Sequence, residues 1–489
     1  MSPEQAVIVI GSGLAGLSAT TQLIAQRIPV IMLDRAAKPG GNSIKASSGI
    51  NGAPTRFQFA AQTHQHQQQT PDTPELFLTD TLRSAGRPLT TSAPDERTRR
   101  ETLISTLVSS SADAVHWLSD EQGVDLSTVA QLGGHSRART HRGGAGQKPP
   151  GYAIVSALLE SLNREPLFQL RTGARVTKVV VPTGATGNEP QMLGVEVDAG
   201  REDNRTETLY GPLVFATGGF AGDTHGLLEK YRPDLAGIPS TNEAREGTQP
   251  LLQEVGAAVV DMEQVQVHPT GFVDSKDLGA PVKFLAAEAL RGEGGVLVVG
   301  EGERFVDELG TREKVSGAVM ERAAQLTGTN LRQWDVTLLL DEGAAAAAKS
   351  HLDFYLWKGL MRKTTVGELA LPALMDTLQR YADVVAGKRS DELGRTSFGN
   401  WTLQDVTPES VVYVGRVTPV VHFTMGGVVI DERSRVLDTN GVPIKGLWAA
   451  GEVTGGLHGQ NRLGGSSLLE CVVFGRIAGE NAAAFHREN

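Results

Sequence analysis

Residues Val7-Ile8-Val9-Ile10 run straight into Gly11-Ser12-Gly13-Leu14-Ala15-Gly16, an apolar β-type segment feeding a G-x-G-x-x-G turn. A second apolar run, Val30-Ile31-Met32-Leu33, ends in Asp34, 18 residues after Gly16. A glycine-rich turn alone is common. Framed by two strands and closed by an acid, it is the βαβ dinucleotide-binding fingerprint. Gly11 allows the tight turn, Gly13 lets backbone approach a pyrophosphate, and Gly16 lets helix and strand pack closely. The helix N-terminus offers free N–H groups and a favourable dipole to the phosphates. Asp34 is placed to accept hydrogen bonds from a ribose diol.

With 489 residues, the chain has room for two or three domains. Its net charge of −10 argues against nucleic acid or an anionic membrane as partner. The single cysteine, Cys471, leaves no intrachain disulfide, CxxCH haem site or iron–sulfur set, so electrons must arrive from outside. No stretch of about 18 apolar residues predicts a membrane span. The first strand starts at Ala6 or Val7, which leaves no room for a signal peptide. A soluble, intracellular and cytoplasmic protein is expected, or a mitochondrial one if a leader has been removed.

Residues 38–53 read as a Gly/Ser/Asn loop too polar for core, and 74–120 as amphipathic helix. Residues 134–151, rich in Gly, Pro and basic side chains, read as a surface loop, followed by a helix from Tyr152 to Leu162. Alternating segments at 176–181 and 192–197, with a turn at 183–190, predict a small antiparallel sheet. Leu213-Val214-Phe215 and Trp448-Ala449-Ala450 each read as a strand ending in glycine, and 466–485 as a closing helix. Residues 262–422 differ in texture, with isolated charged motifs between short elements. The expected fold is therefore α/β: a Rossmann-like nucleotide domain over 1–261 and 423–489, with an α+β capping domain inserted at 262–422.

Five further stretches occur in order: GGNSIKASSGING after the glycine turn, HPTGF, AAEALRGEGG with ERFVDELGTRE, HFTMGG, and GEVTGGLHGQNRLGGSS. With GSGLAGLSA they resemble the soluble fumarate reductase flavoproteins, within the wider succinate dehydrogenase/fumarate reductase family. The resemblance covers essentially the whole chain. It implies FAD as the dinucleotide and reduction of fumarate to succinate as the reaction.

By that resemblance, the cofactor contacts begin with Gly11, Gly13, Ala15, Gly16, Asp34 and Arg35. They continue through the loop residues Gly41, Asn42, Ser43, Ser47, Ser48, Gly49 and Asn51. Val176, Thr217, Gly218, Glu246, Gly451, Glu452, Ser467 and Leu468 complete them. Covalent members attach FAD through a histidine where Asn42 stands here, so the flavin is expected to be non-covalent. The N-terminus of the helix near Ser466 is expected to face the flavin pyrimidine ring.

Arg312 matches the family's proton-donating arginine. Arginine normally keeps its proton; it serves here because the carbanion-like centre that develops is far more basic. Glu288 and Arg291, three apart on a helical face, are the resupply candidates. Arg462, His422 and His268 match the groups that hold the two carboxylates of a C4 dianion, with Ala287 also at the substrate. Thr424, Met425, Gly426, Glu452 and Thr454 match backbone ligands of a sodium ion in some members.

Two departures bear on the substrate: Ala287 stands where better-known members carry threonine, and Leu285 where they carry methionine. Two enzyme alternatives therefore stay open, an ene-reductase for another α,β-unsaturated acid and an enzyme resembling L-aspartate oxidase. A flavin electron carrier with no substrate of its own is the alternative from another class. The expected partners are a small C4 dicarboxylate and an electron donor, either free reduced flavin or a separate reductase, acting on a monomer.

Overall fold

Strand Val7–Ile10, buried at every position, sits in a six-stranded sheet between the parallel strands Val30–Asp34 and Leu213–Phe215. Phe168–Thr172 extends the sheet beyond Val30–Asp34, and Pro443–Ala449 extends it beyond Leu213–Phe215, both parallel. Arg435–Leu437 closes that edge antiparallel. All-apolar runs suit parallel strands covered on both faces. The order reverses at Val7–Ile10, the switch point where open α/β sheets bind ligands at their carboxyl ends. The computed structural model describes residues 6–62, 71–144, 146–181, 192–198 and 206–488; the turn expected at 183–190 lies outside them.

Helix Leu14–Ala25 follows the glycine turn and packs along the C-terminal helix Ser466–Glu488. Gly11 takes φ +104°, and a Cβ there would stand 2.3 Å from the carbonyl oxygen of Ala216. Gly11→Ala is therefore expected to destabilise the protein by roughly 3 kcal/mol or more, from positive φ and overpacking together. Chemical denaturation would read this as a lowered midpoint; a wild-type midpoint would contradict it.

The second large unit is an antiparallel sheet built on the 14-residue strand Val411–Thr424. That strand pairs with Val265–Phe272, with Val336–Leu340 and with Arg362–Thr365. Val296–Val299 and Glu303–Arg304 continue the sheet. Its apolar core draws in Phe220, Ala221, Leu227 and Ile238 from before residue 262. The antiparallel strands Arg175–Val180 and Gly194–Asp198 form as expected, joined by Thr206–Tyr210. The 74–120 region is three helices, Pro74–Thr90, Pro94–Ser109 and Ser111–Asp120, with Gly86 breaking helical geometry in the first.

Two expected surface segments are interior. Most of 134–142 is buried, and Thr140–Arg142 is the central strand between Ile50–Asn51 and Thr128–Ala130. Arg139 is fully buried because Asp72 (2.8 Å) and Asp80 (2.7 Å) neutralise it, with Phe77 under its guanidinium. Only 146–149 of the predicted loop is exposed among its described residues. The second half of the 38–53 loop is also core: Asn51 is buried and donates to Gly464 O (2.8 Å) and Ser466 Oγ (3.0 Å).

Burial pushes His135, His141 and His351 down to about 4. Unfolded imidazoles take protons near pH 6.5, so the unfolded chain binds more protons between about 6.5 and 4. Their contribution is present in full above 6.5 and is lost as the pH falls through 4, at about 3 kcal/mol per histidine. The melting temperature is expected to decline steadily from pH 6.5 to 4; a flat profile there would contradict the burial argument.

Candidate functional site

A cavity of ≈ 950 Å³ runs from the glycine turn to the edge of the antiparallel sheet. That is the upper end of the usual size for a small-molecule site. At one end Gly11, Gly13 and Ala15 meet Asp34 and Arg35. Gly13 has no side chain to cap helix Leu14–Ala25, so apart from Leu14 N, which Ser43 takes, the helix start is open to an anion. The Asp34 carboxylate is held by Ser12 N (2.9 Å), by the Ser12 hydroxyl and by Ala36 N (2.8 Å). A carboxylate has about four acceptor sites, so Asp34 keeps capacity for a ribose diol.

The loop residues Gly41, Asn42, Ser43, Ser47, Ser48 and Gly49 line the cavity, as do Val176, Thr217 and Gly218. Ser43 Oγ accepts from Leu14 N (3.1 Å), which fastens this loop to the helix start. Gly451, Glu452, Ser467 and Leu468 line the wall formed at the start of helix Ser466–Glu488. Burial pushes the Glu452 carboxyl up to about 7, against the opposing bond from Thr424 N (2.9 Å). An open helix start, a free-sided acid at a strand end and a glycine-walled trough together fit a dinucleotide.

The far end is cationic. Arg312 begins helix Arg312–Arg322, which Thr311 caps by accepting from Lys314 N. Its Nε (2.8 Å) and Nη2 (2.5 Å) donate to Glu288 Oε2, and its Nη1 (2.8 Å) to Gln266 Oε1. Arg462 Nη2 donates to that same Gln266 oxygen (3.1 Å), and Arg462 Cζ lies 4.2 Å from the Phe423 ring centre. Burial, then the Arg312 charge, holds Arg462 below its ordinary range. Glu288 is fully buried, yet Arg312 and Arg291 outweigh desolvation and bring it down to about 2. Its other oxygen accepts from Gly133 N (2.8 Å).

Glu288 and Arg291 share the short helix Glu288–Gly292, as their spacing predicted. They form no direct hydrogen bond. Arg291 instead donates to Glu308 O, and its Nε and Nη2 have no partner among the described residues. The Glu308 carboxylate is held by Arg304 and Arg395, so Arg291 reaches the Glu308 carbonyl, and the shared helix carries Glu288 and Arg291 without a bond between them.

The histidines come from neighbouring antiparallel strands. His268 Nδ1 accepts from Thr270 N (3.2 Å), while its buried Nε2 has no partner among the described residues. His422 lies edge-on to it, ring centres 5.3 Å apart, with Nδ1 2.9 Å from Thr241 Oγ1. Burial first, then the surrounding arginines, holds both far below the usual imidazole range. Two buried arginines, the neutral His422 imidazole and the orphaned Arg462 Nε, with neutral His268 behind them, make a pocket suited to a carboxylate-bearing anion.

Not every expected contact faces the cavity. His422, Arg312 and Arg462 line it; His268, Glu288, Arg291 and Ala287 stand behind that wall. Gly16 lies under the turn, where a Cβ would meet Gly11 O at 2.0 Å. Asn51 braces Gly464 and Ser466 instead. The Glu246 side chain is exposed and pairs with Arg175, while its carbonyl takes Arg35 Nη1 (2.8 Å). It steadies two lining arginines rather than lining the cavity, because the turn there points outward. Thr424–Gly426 and Glu452–Thr454 adjoin, with Thr454 opposite Val428 in a parallel pair.

The sequence reading missed several residues. Gln266 ties the two arginines together. His351 reaches from helix Lys349–Lys358 to Ser47 O (2.6 Å). Tyr355 lines the cavity, donates to Leu285 O (3.0 Å) and accepts from Ala287 N (3.2 Å). Gln266 stands two residues before His268 on a strand, so period-2 alternation places both on one face. No comparable local signal marks His351 or Tyr355.

The chain is similar to known flavoproteins along nearly its whole length. The family described as FAD binding domain matches residues 6–468. The chain is 42% identical to fumarate reductase 1 of Saccharomyces cerevisiae over 98% of both chains. It is 41% identical to fumarate reductase of Schizosaccharomyces pombe, over 98% of this chain and 89% of the other. Among solved structures, the open conformation of a flavocytochrome c3 fumarate reductase superposes with TM-score 0.70 at 31% identity. That match spans 99% of this chain and 78% of the other.

Proposed function

The chain belongs to the FAD-binding fumarate reductase flavoproteins, and from that premise we infer that it reduces fumarate to succinate with FAD as cofactor. The observation that carries the reading is the pair Arg312 and Arg462 converging on Gln266 at the inner end of the dinucleotide cavity.

In the proposed site, Gly11, Gly13, Asp34 and the 41–49 loop hold FAD, which when bound supplies hydride to one alkene carbon. Arg462, His422 and His268 hold the carboxylates; fixing both ends polarises the double bond and places it for transfer. Arg312 delivers the proton to the neighbouring carbon. Glu288, within 2.5–2.8 Å of two Arg312 nitrogens and ionised at rest, takes up a replacement proton from the Arg291 side of the same helix and hands it on to Arg312. Residues 262–422 act as a cap that excludes water from the charged pocket. The carbonyls of Thr424, Met425, Gly426, Glu452 and Thr454 are proposed to hold a sodium ion. An external donor, free reduced flavin or a separate reductase, restores the electrons to a monomer.

Asn42 lines the cavity with a carboxamide, which has no nucleophilic ring nitrogen, and its amide is engaged by Asn242. The flavin is accordingly proposed to be non-covalent. Acid precipitation is expected to leave all yellow colour in the supernatant; colour in the pellet would overturn this point.

The reaction is tested by anaerobic turnover with a reduced viologen dye as donor. Fumarate is expected to be the preferred acceptor over monocarboxylic enoates such as acrylate and crotonate. Preference for one of those would install the ene-reductase alternative, and oxygen-dependent turnover of aspartate the oxidase. Failure with every acceptor would leave an electron carrier.

A further inference from the structure

Resting on the reading of His422 as a substrate contact, we propose that Thr241 is a positioning residue that fixes the tautomer of His422, so that the ring offers Nε2–H to a substrate carboxylate.

A neutral imidazole has one N–H. With the proton on Nε2 it donates to a carboxylate oxygen; with the proton on Nδ1 it turns a lone pair against that oxygen. The tautomer therefore decides whether His422 attracts or repels the ligand. Burial and the nearby arginines keep the ring neutral, so protonation cannot rescue the wrong tautomer.

The segment carrying Thr241 is sewn to the strand bearing His422. Thr241 N donates to Val421 O (3.0 Å), and Ser240 Oγ donates to the same oxygen (3.1 Å). Asn242 Nδ2 donates to His422 O (2.9 Å). These bonds place Thr241 Oγ1 2.9 Å from His422 Nδ1. Asn242 Nδ2 also donates to Thr241 Oγ1 (3.4 Å), which occupies an acceptor site on the hydroxyl. The hydroxyl has a single proton, and among the described residues the acceptor within its reach is His422 Nδ1. With the Thr241 hydroxyl donating, Nδ1 is the acceptor and the imidazole proton lies on Nε2.

His268 supplies an internal parallel. Its Nδ1 faces the backbone N–H of Thr270 (3.2 Å), a group that can only donate, so its proton is also on Nε2. Both rings then carry their proton on Nε2, that of His422 at the cavity wall and that of His268 behind it. For His268 the backbone enforces this; for His422 a replaceable hydroxyl does. Asn42 of the cofactor loop bonds Asn242, so the device is braced against the dinucleotide cradle as well.

The test uses the full-length flavoprotein. Thr241→Val keeps shape and removes the hydroxyl. It is expected to raise the fumarate KM by about 10- to 100-fold, the weight of one hydrogen bond to a charged group, with a smaller fall in kcat. Thr241→Ser is expected to restore most of the lost affinity. ¹⁵N NMR of histidine-labelled wild type is expected to show His422 protonated at Nε2. A wild type protonated at Nδ1, a wild-type KM in Thr241→Val, or a Thr241→Ser variant as impaired as Thr241→Val would each overturn the proposal. His422→Ala separates it from the site reading. An unchanged KM there sinks both, whereas a raised KM alongside a normal Thr241→Val sinks the tautomer role alone.

Discussion

Arg312→Ala is expected to lower kcat for fumarate by roughly 10³- to 10⁴-fold, the upper part of the range for a positioned general acid. Three of its nitrogens are engaged by Glu288 and Gln266, so the guanidinium has one orientation at the cavity wall. Alanine removes the proposed proton donor and leaves Glu288 buried beside fewer positive charges. Losing one partner of a buried pair costs about 3–5 kcal/mol of stability, so the melting temperature should fall too. FAD content should hold, because the side-chain bonds of Arg312 go to Glu288 and Gln266 and not to the glycine turn or the 41–49 loop. Flavin absorbance per protein separates loss of chemistry from loss of cofactor. Arg312→Lys keeps charge but not the planar fork that grips Glu288 and Gln266 together, so only partial recovery is expected. Wild-type rates in Arg312→Ala would remove this residue from the mechanism.

Arg462→Met is expected to act mainly on binding, lowering kcat/KM for fumarate by about 10²- to 10³-fold with most of the change in KM. Truncating one side of a buried charge-assisted pair costs about 2–5 kcal/mol, and each 1.36 kcal/mol is tenfold. Arg462 is poised for an anion. Its Nε has no partner among the described residues, and burial beside Arg312 disfavours its charge until a dianion arrives. Binding should therefore weaken at high salt less than a surface contact would, since the pair is screened from solvent. Initial-rate kinetics over fumarate concentration read the split. A fall in kcat at unchanged KM would mean that Arg462 serves the chemical step rather than the clamp.

Much of this was legible in the chain itself, for identifiable reasons. The glycine turn and Asp34 are readable because their constraint is local: Gly11 needs a positive φ and sits against Ala216 O. The arginines and histidines were readable only through ordered motifs, since nothing near Arg312 in sequence announces Glu288 as its partner. The 134–142 stretch was misread because basic residues usually mean surface. Arg139 is buried by Asp72 and Asp80, acids about 60 residues upstream that only folding brings to it. Glu246 was misplaced by matching a turn without knowing which way it faces. Thr241 was invisible because its partner lies 181 residues away.

The central claim is that fumarate takes electrons from the flavin at a site where Arg312 is the acid. Anaerobic single-turnover mixing of the fully reduced protein with fumarate tests it most directly. The predicted result is rapid return of the oxidised flavin spectrum in wild type, with one succinate per flavin, and a reduced spectrum that persists in Arg312→Ala. A wild-type flavin that stays reduced in the presence of fumarate, or reoxidation that is equally fast in both proteins, would contradict the account.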